Sequence, residues 1–155
     1  MRRSGTGPLR RLFSARTVLA GLLAAMAMGQ ASDLDGFEAA LAGYRAIPGD
    51  VLGQAARLLV AVEVLAAAAL VRRWRRGEVL ALSVAGLWTA AGVEAFARGL
   101  TVRNCGCFGT QLQQPLRWWV LVEDAEFVAL ATWVLLQARR RRTTAFATPE
   151  AAEAA

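Results

Sequence analysis

Long apolar runs alternate with short polar connections along this chain. Four runs are long enough to be membrane-crossing helices: about Leu12 to Gln30, Val51 to Val71, Val79 to Ala97 and Trp118 to Gln137. Each is close to the roughly 20 residues that cross a hydrocarbon core of about 30 Å. No water reaches the backbone inside such a core, so each run must close its own hydrogen bonds as a helix. Residues 17–32 carry no charge, whereas Arg57 and Glu63 interrupt the second run and Glu94 the third. Glu123, Asp124 and Glu126 fall in the first half of the fourth. The predicted fold is all-α: an integral membrane bundle of four transmembrane helices over residues 12–138. A basic tail precedes it at 1–11, and a basic, disordered tail follows at 139–155, where TTAFATPEAAEAA is low-complexity.

The connection 31–50 is not a plain loop. Leu34, Phe37, Leu41 and Tyr44 recur at spacings of three and four, the pattern of a short amphipathic helix. Ser32 with Asp35 three residues on forms a weak capping box, and Pro48 is the expected stop. Such a helix would lie in the outer interface with Phe37 and Leu41 toward lipid or the bundle top. It reads as an interfacial anchor, or as a lid over a site in the bundle.

Charge gives the runs a direction. The chain holds 18 arginines and no lysine or histidine, with a formal net charge of +6. Thirteen of those arginines fall in three clusters, at 2–16, 72–76 and 139–142. A nucleic-acid binder would carry such charge on a folded polar surface; here it brackets apolar segments. Arginine-rich connections alternate with arginine-poor ones, as the positive-inside rule requires. Both termini are then cytoplasmic, and 31–50 and 99–116 face outward from a cell (inner) membrane. Trp74, Trp118, Trp119 and Trp133 sit near span ends, where indole favours the interface. A cleaved twin-arginine signal at Arg10-Arg11 would leave three spans with the same orientation at the C-terminus. The lack of histidine removes the commonest general base and metal ligand.

Chemistry concentrates in Asn104-Cys105-Gly106-Cys107-Phe108-Gly109, on the second outer connection. Cys105 and Cys107 are the chain's two cysteines, one residue apart. Outside a cytoplasmic membrane, paired thiols meet an oxidising compartment. A bond across one intervening residue closes a tiny ring, so it departs from relaxed geometry and adds little stability. A poor staple that is easily reduced suits thiol–disulfide exchange. Gly106 and Gly109 would allow the turn, Phe108 would give a partner an apolar contact, and Arg103 would favour a thiolate by charge. An inert pair is the bland alternative. No metal site is predicted, since two thiolates are half of a tetrahedral set; Met26 and Met28 could add only soft thioethers suited to Cu(I).

With those residues in view, the chain resembles the methylamine utilisation protein MauE family, four-helix membrane proteins related to DoxX. The resemblance runs from about Arg16 to Gln137. It is carried by the hexapeptide after Arg98-Gly99, by the Phe37…Leu41…Tyr44…Pro48 spacing, and by Glu63. Where the family has a basic residue near the end of the first span, this chain has Gln30. The resemblance implies maturation of methylamine dehydrogenase, a disulfide-rich periplasmic enzyme, together with a thioredoxin-like partner. Relatives serving other thiol-redox pathways are equally in keeping with it.

The intramembrane charges are costly and so mark pairing or function. At about 1.5 Å per residue, Arg57 lies about 9 Å below the outer face and Glu123 about 8 Å, with Asp124 and Glu126 slightly deeper. Glu94 is shallow and Glu63 is near the midplane. The expected use is an ion pair from Arg57 to Glu123 or Asp124; the alternative is a proton relay or quinone-head site serving the thiols. No second cysteine pair lies on the inner side, so electrons need a quinone, another cofactor or a lateral partner. The reading is a membrane thiol–disulfide redox protein supporting an extracytoplasmic partner, with a non-catalytic scaffold for a thioredoxin-like factor or a Cu(I) module as alternatives.

Overall fold

The computed structural model describes residues 14–146, and among them every regular element is helical. The basic tail at 1–11, the Arg10-Arg11 pair and residues 147–155 lie outside the described residues. Helix α1 is Ala15–Ala31, α2 Leu34–Ala42, α3 Leu52–Val71, α4 Gly77–Ala97 and α5 Trp118–Phe146, with a 3-10 turn at Gly49–Val51 before α3. Ser14 caps α1 by accepting the Thr17 N–H. At the start of α2 the cap is Asp33, not Ser32: its carboxylate accepts the Gly36 N–H, while the Ser32 hydroxyl turns back to the Gly29 carbonyl. That carboxyl sits below its usual pKa, held there by the Gly36 N–H and then by the Thr110 hydroxyl. The α2 helix ends at Ala42, before Pro48, which instead opens the 3-10 turn. Helix α5 runs past Gln137 and through Arg139–Arg142 to Phe146, so the disordered tail expected from 139 begins as helix.

Gly49–Val71 and Gly77–Ala97 are long and apolar enough to cross a membrane. Helices α1 and α2 pass the same test as a pair bent by 98°, which gives up to three candidate spans among the described residues. Helix α5 is not among them, consistent with the three acids in its first half.

The four long helices form a ring in the order α1, α3, α4, α5, with α1 and α5 closing it. Contacts are dense between α1 and α3 and between α4 and α5, and much sparser between α1 and α5. Leu19, Leu23, Met26, Ala66, Leu70, Ala81, Val84, Trp88, Ala131 and Val134 fill the middle. At one end, buried Glu78 takes Arg16 Nη1 at 2.9 Å and Arg142 Nη2 at 3.5 Å, tying the first and last helices to the start of α4. Arg16 Nε also donates to the Leu70 carbonyl, and Arg142 to that of Arg75. At the other end α2 folds over the bundle. Phe37, Leu41 and Tyr44 are buried there, so the amphipathic face points into the bundle top and not into lipid.

Candidate functional site

The cysteine segment folds back into the mouth of the bundle under α2. Its ends are zipped by two backbone bonds, Leu116 N–H to the Val102 carbonyl at 2.9 Å and Cys105 N–H to the Gln114 carbonyl at 2.7 Å. Between them Asn104 clasps the turn from inside: its Nδ2 donates to the Gly109 carbonyl, and its Oδ1 accepts the Gly106 N–H. Gly106 and Gly109 have φ of 81° and 64°, backbone angles that glycine adopts without strain. A Cβ on Gly109 would collide with the Gly29 carbonyl, and one on Gly29 with that of Phe108. The end of α1 and the cysteine loop therefore touch backbone to backbone.

The carbonyls beside the thiols are taken up by side chains from other elements. The Tyr44 hydroxyl donates to the Cys105 carbonyl at 2.7 Å, and burial pushes that phenol's pKa up, so it stays a donor. Gln30 Nε2 donates to the Cys107 carbonyl at 3.0 Å and to Glu63 Oε1 at 3.2 Å. Trp88 Nε1 reaches the same Glu63 oxygen at 2.8 Å. Trp88 also meets Phe37 at a tilt and Tyr44 edge-on, with ring centroids 6.3 and 6.5 Å away. Satisfied in this way, the loop can be buried: Cys105 is 2% exposed and Cys107 half-buried.

Both cysteines are free thiols. The close approach of the two thiols holds Cys105 below the usual thiol range and pushes Cys107 well above it. Arg103 has no part in this: it is exposed and lines a separate cavity between α2 and the loop. Phe108 is half-buried against the core and lines the site, so its ring belongs to the bundle more than to a docking partner.

Below the thiols lies a cavity of about 220 Å³. Leu22 and Met26 of α1, Trp88 of α4, and Val120, Glu123, Asp124 and Phe127 of α5 line it, with Phe108 and Gln114 at the loop side. Glu123 is exposed and accepts from Gln114 Nε2 at 3.0 Å. Asp124 is 7% exposed, and no hydrogen bond or ion pair reaches its carboxyl among the described residues.

The charges expected inside the membrane divide accordingly. Glu63 and Asp124 are buried around the site, and Glu123 stands at its edge. Arg57 does not pair with Glu123 or Asp124. It is exposed on α3, which lies diagonally across the ring from α5, and it stands less than two turns from the helix end, within reach of the interface. Glu94 is exposed and bonds Arg98 one turn on at 3.2 Å; Glu126 is exposed. Met26 shares the cavity wall with both thiols, whereas Met28 is 67% exposed. Among the described residues no three His, Cys, Asp or Glu side chains cluster as a metal set. Sequence reasoning missed Gln30, Tyr44, Trp88 and Asn104 as site residues. The signal available for Gln30 was its polarity at the end of a run otherwise free of charge.

Residues 10–137 match the family model of methylamine utilisation protein MauE, and the chain belongs to that family. No curated protein and no solved structure matches it. Membership of the family suggests a role in methylamine utilisation, in a membrane.

Proposed function

Starting from that membership, we propose that this is a membrane thiol–disulfide redox protein in which Cys105 and Cys107 exchange electrons with an extracytoplasmic, thioredoxin-like partner. By family, that partner would act in methylamine dehydrogenase maturation. The observation that carries the reading is the placement of the thiols: Cys105 and Cys107, free and one residue apart, line the same cavity. A thiolate of the partner attacks the Cys105–Cys107 disulfide and the partner's second thiol resolves the mixed disulfide, so that the partner leaves oxidised and the pair reduced, which is the ordinary chemistry of exchange. The Cys105–Cys107 pair should titrate in one step by two alkyl groups, at a potential above about −250 mV, between structural bonds and strong oxidants. Either cysteine changed to serine should abolish partner maturation while membrane insertion persists. If the double Cys→Ser chain still supports maturation, the scaffold reading replaces exchange. Met26 beside the two thiols favours a second reading, Cu(I) binding, for which copper retained in stoichiometric amount through purification is the mark.

The reading includes four membrane spans, α1, α3, α4 and α5, with both termini cytoplasmic and the cysteine loop outside. Its support is the Glu78 clasp among arginines at one end and the arginine-poor α2 and cysteine loop at the other. In a Cys105→Ser/Cys107→Ser background, Leu112→Cys should react with an impermeant maleimide in intact cells, and Arg75→Cys only after permeabilisation. The reverse pattern would invert the topology.

A further inference from the structure

The chain has two cysteines, both at one end of the bundle. Whatever the pair takes from a partner's dithiol must leave again, and the cavity under it is the one space that both thiols line among the cavities described. Leu22, Met26, Trp88, Phe108, Val120 and Phe127 make most of its remaining wall apolar and partly aromatic, suited to a flat ring, and Gln114, Glu123 and Asp124 add polar groups. At about 220 Å³ it is smaller than the roughly 300–1,000 Å³ of sites for drug-sized ligands, the scale of a single ring head group.

Its position selects how an occupant arrives. The cavity is walled by α1 on one side and α5 on the other, the two neighbours in the ring that touch least. A ligand dissolved in the bilayer can reach that seam laterally, whereas one from the aqueous side meets α2 and the folded loop. Asp124, buried and without a hydrogen-bond partner among the described residues, faces the same space. That carboxyl offers a polar contact to an occupant of the space. We propose that this cavity is the head-group site of a membrane quinone that reoxidises the Cys105–Cys107 dithiol. This rests on the thiol exchange proposed above.

The step balances without a further reactant. The two S–H bonds break and one S–S bond forms, releasing two electrons and two protons. The quinone takes both electrons, and its two ring oxygens take both protons, giving the quinol, which leaves through the seam. Asp124 is placed to pass one of those protons. The partner protein's dithiol then reduces the new disulfide by exchange, so the net reaction turns partner dithiol and quinone into partner disulfide and quinol.

The test uses the full chain, reduced, in lipid nanodiscs, anaerobically and with a metal chelator. The probe is decylubiquinone, whose fully substituted ring accepts electrons without adding a thiol. One quinol should form per protein as two alkylatable thiols disappear. An azido analogue of the same quinone should label the tryptic peptides 17–45 and 118–139, which carry the α1 and α5 walls. Leu22→Trp, which fills the cavity, should slow the reaction at least about tenfold, the scale of 1.4 kcal/mol; Leu65→Trp, exposed on α3, should not. If glutathione disulfide oxidises the pair but the quinone does not, the quinone site is wrong and the exchange reading stands. If neither oxidises it, both fall. If the quinone reacts but labels 58–72, on the groove between α1 and α3, the site assigned here is wrong.

Discussion

Glu63→Leu should lower the melting temperature in detergent by roughly 10 °C. Two buried donors converge on Glu63 Oε1, from Gln30 and from Trp88, and leucine offers neither an acceptor. An orphaned buried donor costs about 1–3 kcal/mol, and in a chain of this size 1 kcal/mol moves the midpoint by about 2–4 °C. Glu63→Gln keeps an acceptor oxygen in place and should cost clearly less. The pair Glu63→Leu with Gln30→Leu should fall short of the sum of its members, because residues in one network do not contribute independently. Gln30 also holds the Cys107 carbonyl, so both variants should speed alkylation of the thiols. An unchanged midpoint in Glu63→Leu would mean that this network does not hold the bundle together.

Gly109→Ala should free the cysteine loop from the bundle. Two costs add at that residue. Its φ of 64° puts an alanine in the left-handed region, at about 1–2 kcal/mol. Its new methyl would also meet the backbone of Gly29, which cannot swing aside as a long side chain would. The loop should give way, since it is held by single hydrogen bonds while α1 is held by packing along its length. Alkylation of Cys105 and Cys107 should then quicken by about tenfold or more, the response to 1.4 kcal/mol of local destabilisation. Gly86→Ala, where nothing stands within 4 Å, is the matched control and should leave the rate alone. Equal rates in the two variants would show that the contact between loop and α1 does not position the thiols.

The helices themselves were legible because apolar length is a strong signal. The starts of α3 and α5 and the end of α4 fall within a residue of those the sequence predicts. The glycine-flanked cysteine turn was legible too, since few residues tolerate such backbone angles. Which way each helix faces was not. A helix in lipid is apolar on all sides, so no polar stripe marks its outer face. Depth along the axis therefore put Arg57 level with Glu123 and Asp124, while rotation and ring order put it beyond their reach. Gln30 was hidden for a related reason: one amide in an apolar run has no periodicity, and its partners lie 33 and 77 residues away. The cap at Asp33 was missed because Ser32 offered the same chemistry one residue earlier, and the Thr110 hydroxyl, which bonds Asp33 from the far loop, is invisible to local reading.

The clasp on Glu78 also sets an order of assembly during synthesis. Its two partners, Arg16 and Arg142, stand near the first and last positions of the described chain. While the ribosome is still making α5, α1 can pack on α3 and α3 on α4, but the ring stays open and Glu78 has Arg16 alone. The wall formed by Val120, Asp124 and Phe127 is missing at that stage, so the pocket under the cysteines cannot exist before the last helix has joined the bundle. Closure comes only when the arginine run has emerged from the exit tunnel. A nascent chain arrested before Arg142 should therefore hold its thiols open to alkylation, and release of the chain should shut them in.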